Sequence, residues 1–332
     1  MDVISLALIG NNSFKGIYLS DEGRTENDTV NDCFHTTYNV NTPVIVFIDL
    51  SLAVVAVLGN SLVLVVVYRF RWLRTITNMF VVSLAAADLL VGINVPFYVL
   101  FYFDLPLVCN KYSCLFRYWF AIYASGCSML CLVGVAVDRY VAILHPLSYH
   151  RIMKSRCVSA YIAVVWVYMG IISSLPLLGI GETFDSTKEC DLYYLHSSTY
   201  ALTVVAFHVL LTLIITTVLH CIIFREAWKQ SRAMAAIEVN SRVRQDARTT
   251  ITMAMVLGAC LLGFLPYLII ISLPYMDDTC QEVLGFLKRY FVCLYFGKSA
   301  VNPIIYGWKN RDFRDAFKKL LCSKKSAVSL PR

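Results

Sequence analysis

The sequence predicts an all-α membrane protein: a bundle of seven spanning helices followed by a short amphipathic eighth. Two observations carry that prediction. Of 332 residues, 58% are hydrophobic and only 15% charged, whereas a soluble domain carries about 25% charged residues. Apolar runs long enough to cross a hydrocarbon core of about 30 Å recur seven times, at 44–69, 76–101, 111–144, 157–179, 198–224, 247–274 and 287–307. The organisation that follows is a polar tail at 1–42, a spanning domain at 43–309 and a terminal segment at 310–332.

The tail, with acceptor triplets at Asn11 and Asn27, reads as glycosylated if it lies outside the cell. No cleavable signal is expected in it, since Met1–Ser13 lacks a basic start and a long apolar core. Basic residues crowd the loops after spans one, three and five, among them Arg69, Arg151 and Arg225. The tail instead carries Asp21, Glu22, Asp28 and Asp32. By the positive-inside rule its end is outside and the carboxyl terminus inside. The charge of +7 is therefore a matter of topology and of anionic lipid, not of nucleic acid.

Span one holds Gly59-Asn60-Ser61 in an aliphatic run, and span two holds Asp88. A carboxylate at that depth costs about 2.5–3.5 kcal/mol on insertion scales, so it faces the bundle interior and wants a partner. In span three a helix rises roughly 37 Å from Cys114 to Arg139, which puts the cysteine at one membrane face and Asp138-Arg139-Tyr140 at the other. Span four carries Trp166 and stops at Pro176. Span five has no proline but holds His208 and His220, each more simply a packing residue than a ligand. Span six reads Gly263-Phe264-Leu265-Pro266-Tyr267, and the proline makes a hinge there. Span seven ends in Asn302-Pro303-Ile304-Ile305-Tyr306. Beyond it Phe313, Phe317, Leu320 and Leu321 fall on one helical face with Arg and Lys opposite, an interfacial helix. Cys322 at its end is a candidate for palmitoylation.

Taken in order, Asn60, Asp88, Cys114, Asp138-Arg139-Tyr140, Trp166, Pro266 and Asn302-Pro303-x-x-Tyr306 followed by Phe313 resemble the rhodopsin-like (class A) G-protein-coupled receptors. The resemblance covers about residues 44–322 and leans towards the adenosine, melanocortin and lipid-receptor neighbourhood. It implies an extracellular ligand and a heterotrimeric G protein as partners, with arrestin a further candidate, at the plasma membrane. Cys114 would pair with Cys190. Arg139 would be held by Asp138 and by Asp246 until span six swings outward, Tyr306 would stabilise the open state, and Leu147 would enter the G protein. Cys33 and Cys280 form a candidate second disulfide, which leaves Cys109 odd. An internal ion site would use Asp88, Ser128, Lys298 and Asn302. Its third member is normally a neutral asparagine, so Lys298 is expected to pair with Asp88 in place of sodium.

The sequence also departs from that family. Thr212 stands where span five has proline, and Phe264, Gly263 and Cys260 replace a tryptophan, a cysteine and a phenylalanine. His220 replaces a tyrosine. The ligand pocket expected from the resemblance is Phe97, Arg117, Tyr118, Ala121, Ser125, His208, Phe264, Tyr267 and Phe296. Amine receptors carry aspartate where this chain has Ala121, which argues against an aminergic ligand. Arg117 with Lys288-Arg289 suits an anionic lipid, peptide or small molecule, unless those cations pair with Glu182, Asp185 or Asp191.

Other classes fit less well. A transporter would show internal repeats, and an enzyme a metal or nucleophile constellation; neither pattern occurs, so no catalytic residue, metal or cofactor is expected. An opsin-like light receptor is the rival within the fold, but the retinal lysine aligns with Phe296. Lys298, two residues on, is turned by about 200°. A constitutively active receptor without a ligand is the remaining alternative.

Overall fold

A computed structural model describes residues 42–103, 110–184, 190, 192–200, 207–234, 255–256, 258–267, 269–270 and 281–322. The long helices are α1 (Thr42–Arg69), α2 (Ile76–Val99), α3 (Lys111–Leu144), α4 (Ser155–Ser174), α5 (Phe207–Met234), α6 (Gly258–Tyr267), α7 (Gln281–Lys309) and α8 (Arg311–Cys322). Helices α1 to α5 contain segments long and apolar enough to cross a membrane.

Local chemistry sets the helix ends. The Thr75 hydroxyl accepts from the Asn78 amide at 3.2 Å and caps α2. Asn110 does the same for α3, accepting from Tyr112 and Ser113 at 2.9 and 3.2 Å; each bond satisfies an amide that the first turn leaves unpaired. Helix α3 stops at His145, since the residue before Pro146 is steered out of helical geometry. Helix α4 is shorter than the 157–179 run: it ends at Ser174, and a turn over Pro176–Leu178 closes on Gly179 at φ 83°, a left-handed value that glycine adopts without strain. Within the 198–224 run the described helical residues are Ser198–Tyr200 and α5, which continues past the run to Met234. Helix α7 extends past both ends of its expected span.

Helix α3 is central. It packs against α2, α4 and α5, while α1 lies against α2 and α7, and α7 also touches α2 and α8. The apolar periphery is open: Phe47, Val54 and Leu58 on α1, Val164 and Val167 on α4, and Ile214 on α5 are more than half exposed. The buried set instead includes Asn60, Asp88, Ser128, Lys298, Ser299 and Asn302. Polar inside and apolar outside is the arrangement lipid imposes, since only the bundle interior can satisfy such groups. The site stands on that interior.

Candidate functional site: a bundle cavity above a buried ion pair

A cavity lies between α3, α4, α5, α6 and α7. Tyr118, Ala121 and Ser125 reach it from α3 at helical spacing, His208 from α5, and Phe264 and Tyr267 from α6. Three expected residues do not line it. Arg117 is turned towards α2, where its guanidinium lies 3.7 Å from the Tyr98 ring centroid and 4.6 Å from that of Phe101. Its Nη1 also donates to the Cys190 carbonyl at 3.3 Å. Cation–π attraction and a carbonyl acceptor together draw it away from the cavity. Phe97 packs edge-on against Phe101 and Phe116. Phe296 is buried against Tyr98 at 5.2 Å, and its neighbour Tyr295 takes the cavity position, hydrogen-bonded to the Ser125 hydroxyl. One residue is 100° of helix, so an error of one position exchanges wall for packing. Glu182 pairs with Lys111 at 2.7 Å.

Beneath Phe264 lies the ion pair. Asp88 is fully buried; Oδ1 accepts from Ser128 at 3.0 Å and Ser299 at 2.7 Å, and Oδ2 from Asn302 at 2.6 Å. The Lys298 ammonium stands 3.7 Å from Oδ1 and donates to Ser128 at 3.3 Å and Ser299 at 3.5 Å. Asn60 ties α1 to this group through the Ser299 carbonyl, at 3.0 Å. The four residues expected at the internal site therefore converge. Ser299 joins them unforeseen; a hydroxyl beside a buried lysine on the same helix was the available signal.

At the far end of α3, Arg139 is 8% exposed and holds Asp138 through Nε at 2.9 Å and Nη2 at 2.6 Å. Thr77 and Tyr149 each donate to the same carboxylate at 2.8 Å. Burial and the adjacent Asp138 charge push the Tyr149 phenol up to about 12, so it stays a donor throughout the physiological range. Tyr149 was not foreseen. Leu147 is fully exposed, Tyr140 is half-buried, and Tyr306, beyond Pro303, is buried and stacked on Phe313 at 5.5 Å. Asp246 lies outside the described residues, as do Asn11, Asn27, Cys33, Cys109 and Cys280.

The disulfide joins Cys114 to Cys190, and Trp166 donates to Ser83 at 2.9 Å. Cys322 is exposed at the end of α8. Sequence reasoning passed over Asp49 on α1, a fully buried carboxylate whose Oδ2 accepts from Tyr102 at 3.3 Å. A charge inside an apolar run was the signal for it.

This ordered set of polar residues is matched by comparison with known proteins. Residues 59–306 match the family described as 7 transmembrane receptor (rhodopsin family). The chain belongs to that family. It is 31% identical to octopamine receptor beta-2R of Chilo suppressalis, over 92% of this chain and 90% of the relative. It is 28% identical to adenosine receptor A2a of Homo sapiens, over 86% and 73%, and 31% identical to adenosine receptor A2b of Canis lupus familiaris, over 83% and 89%. The chain is thus a rhodopsin-family receptor of the plasma membrane, multi-pass, and not an enzyme. The adenosine side of the resemblance is supported.

Proposed function

We propose that this receptor takes a non-aminergic ligand from outside the cell and activates a heterotrimeric G protein by outward movement of α6. Its amino-terminal tail, residues 1–42, lies outside and its terminal segment, 310–332, inside. The observation that carries the reading is that α3 joins a cavity at one end to the buried Asp138–Arg139 cluster at the other. A two-state element with a site at each end is what allosteric signalling requires.

The relatives pull the ligand in two directions, since octopamine carries an ammonium and adenosine does not. Among the described residues no carboxylate lines the cavity, and Ala121 stands where amine receptors place their aspartate. A buried ammonium without a counter-ion is costly, so the cavity favours the second chemistry. Arg117 lies outside this wall, on the faces of Tyr98 and Phe101. An opsin-like reading fares worse, because Lys298 is committed to Asp88 and absent from the wall; incubation with retinal is expected to give no visible absorbance.

Arg139 and Asp246 restrain the resting state in this reading. The test is Asp246→Ala at matched surface expression. Ligand-independent second-messenger output should rise severalfold; an unchanged or lower output overturns the restraint. Cys114–Cys190 holds the loop over the cavity, Leu147 docks the G protein, and Cys322 and the face of α8 attach to the inner leaflet.

A further inference from the structure

Helices α6 and α7 meet with almost no space between them at Gly263. A Cβ placed on Gly263 would lie 2.8 Å from the Leu294 carbonyl oxygen and 3.1 Å from Lys298 Cβ. The first of those atoms is backbone and cannot step aside, so any side chain at 263 has to drive the two helices apart. Gly258, on the same helix, meets nothing within 4 Å. The glycine at 263 is therefore a matter of contact and not of helix composition.

Lys298 leaves α7 at this seam. Its ammonium lies 4.8 Å from the Phe264 ring centroid and 6.0 Å from that of Tyr295, with Asp88 at 3.7 Å on its other side. Phe264 and Tyr295 pack edge to face at 5.3 Å, and both line the cavity. One cation thus separates two rings of the cavity wall from the buried carboxylate. One turn away on α6, Cys260 is 3% exposed with its Sγ 3.3 Å from Met129 Sδ on α3.

We propose that Gly263 and Lys298 form a latch by which α7 holds α6 in the resting bundle, and that the Lys298 ammonium reports displacement of Phe264 or Tyr295 to Asp88. Both are positioning residues; neither has to touch a ligand. A molecule that tilts either ring changes how the cation divides between ring face and carboxylate. A small change there is felt because the seam is already closed to contact distance at Gly263. The proposal rests on the reading of α6 as the moving helix.

Cys260 supplies a readout that needs no G protein. In membranes carrying the full chain, its alkylation by N-ethylmaleimide is followed by peptide mass spectrometry, which separates it from the other thiols. Gly263→Ala should raise the Cys260 rate at least fivefold, and Gly258→Ala should leave it within twofold of native. Lys298→Met should also raise it, Lys298→Arg should not, and the Gly263→Ala/Lys298→Met double variant should exceed neither single, because both act at one contact. A native rate in Gly263→Ala, or an equal rise in Gly258→Ala, overturns the latch. If Gly263→Ala does not reach the surface, a native rate in Lys298→Met overturns it instead. Faster labelling without higher basal signalling upholds the latch and refutes activation through α6.

Discussion

Removing the charge of Lys298 while keeping its length, as Lys298→Met, tests the buried pair most directly. Breaking one side of such a pair typically costs about 3–5 kcal/mol, because the surviving charge is left buried and uncompensated. Two features of this site set the cost at the low end. The separation of 3.7 Å is longer than a direct charge-assisted hydrogen bond, and Asp88 keeps three neutral donors from Ser128, Ser299 and Asn302. A loss of about 3 kcal/mol at about 2–4 °C per kcal/mol lowers the melting temperature of the purified receptor by roughly 6–12 °C. The double variant Lys298→Met/Asp88→Asn removes both charges and should melt close to the native chain, since replacing a whole buried pair is often neutral or better. Sodium provides the second arm. With the ammonium already beside Asp88, native melting should be the same in sodium as in N-methyl-D-glucamine at equal ionic strength, and Lys298→Asn should become sodium-dependent. Strictly additive losses in the double variant, or a clear sodium effect on the native receptor that Asp88→Asn abolishes, would refute the reasoning.

Two further outcomes follow from packing and covalent structure. Cys190→Ser opens a bridge between residues 76 apart in sequence, worth about 2–5 kcal/mol. Surface expression should fall severalfold, and native expression together with native melting would show that the loop is held without it. Gly134→Ala places a Cβ 2.4 Å from a Phe80 ring carbon and 2.9 Å from one of Tyr161. Overpacking against two rings costs about 1–3 kcal/mol, read as a drop in melting temperature; an unchanged melt would mean that α2 and α4 yield freely there.

Much of this architecture was legible because lipid makes a few rules severe. A carboxylate inside an apolar run must find a partner, which marked Asp88; it was the resemblance to the receptor family that named Ser128, Lys298 and Asn302 beside it. Hydropathy located the spans, although α4 ends earlier than its apolar run, because Pro176 turns the chain while the side chains stay apolar. The errors arise between helices. Nothing within span three says that Arg117 will find the face of Tyr98 on α2. Choosing Phe296 over Tyr295 for the cavity wall is an error of one residue, which on a helix is more than a quarter turn. Tyr149 escaped because hydroxyls are common and carry no penalty that marks them in a sequence, and Ser299 was marked only by its place beside Lys298. Asp49 is different: its signal was present, and it was the partner Tyr102, in the turn after α2, that only the fold supplied.

The Cys190 carbonyl receives the Arg117 guanidinium at 3.3 Å and the Tyr118 hydroxyl at 3.4 Å, on the residue whose sulfur is already bonded to α3. The loop is therefore riveted at this point by backbone as well as by side chain, and Leu192, two residues on, forms part of the cavity wall. Reducing the disulfide would leave two tethers in place. Residue 190 is thereby held to α3 at three atoms, so this stretch of the cavity wall moves with α3.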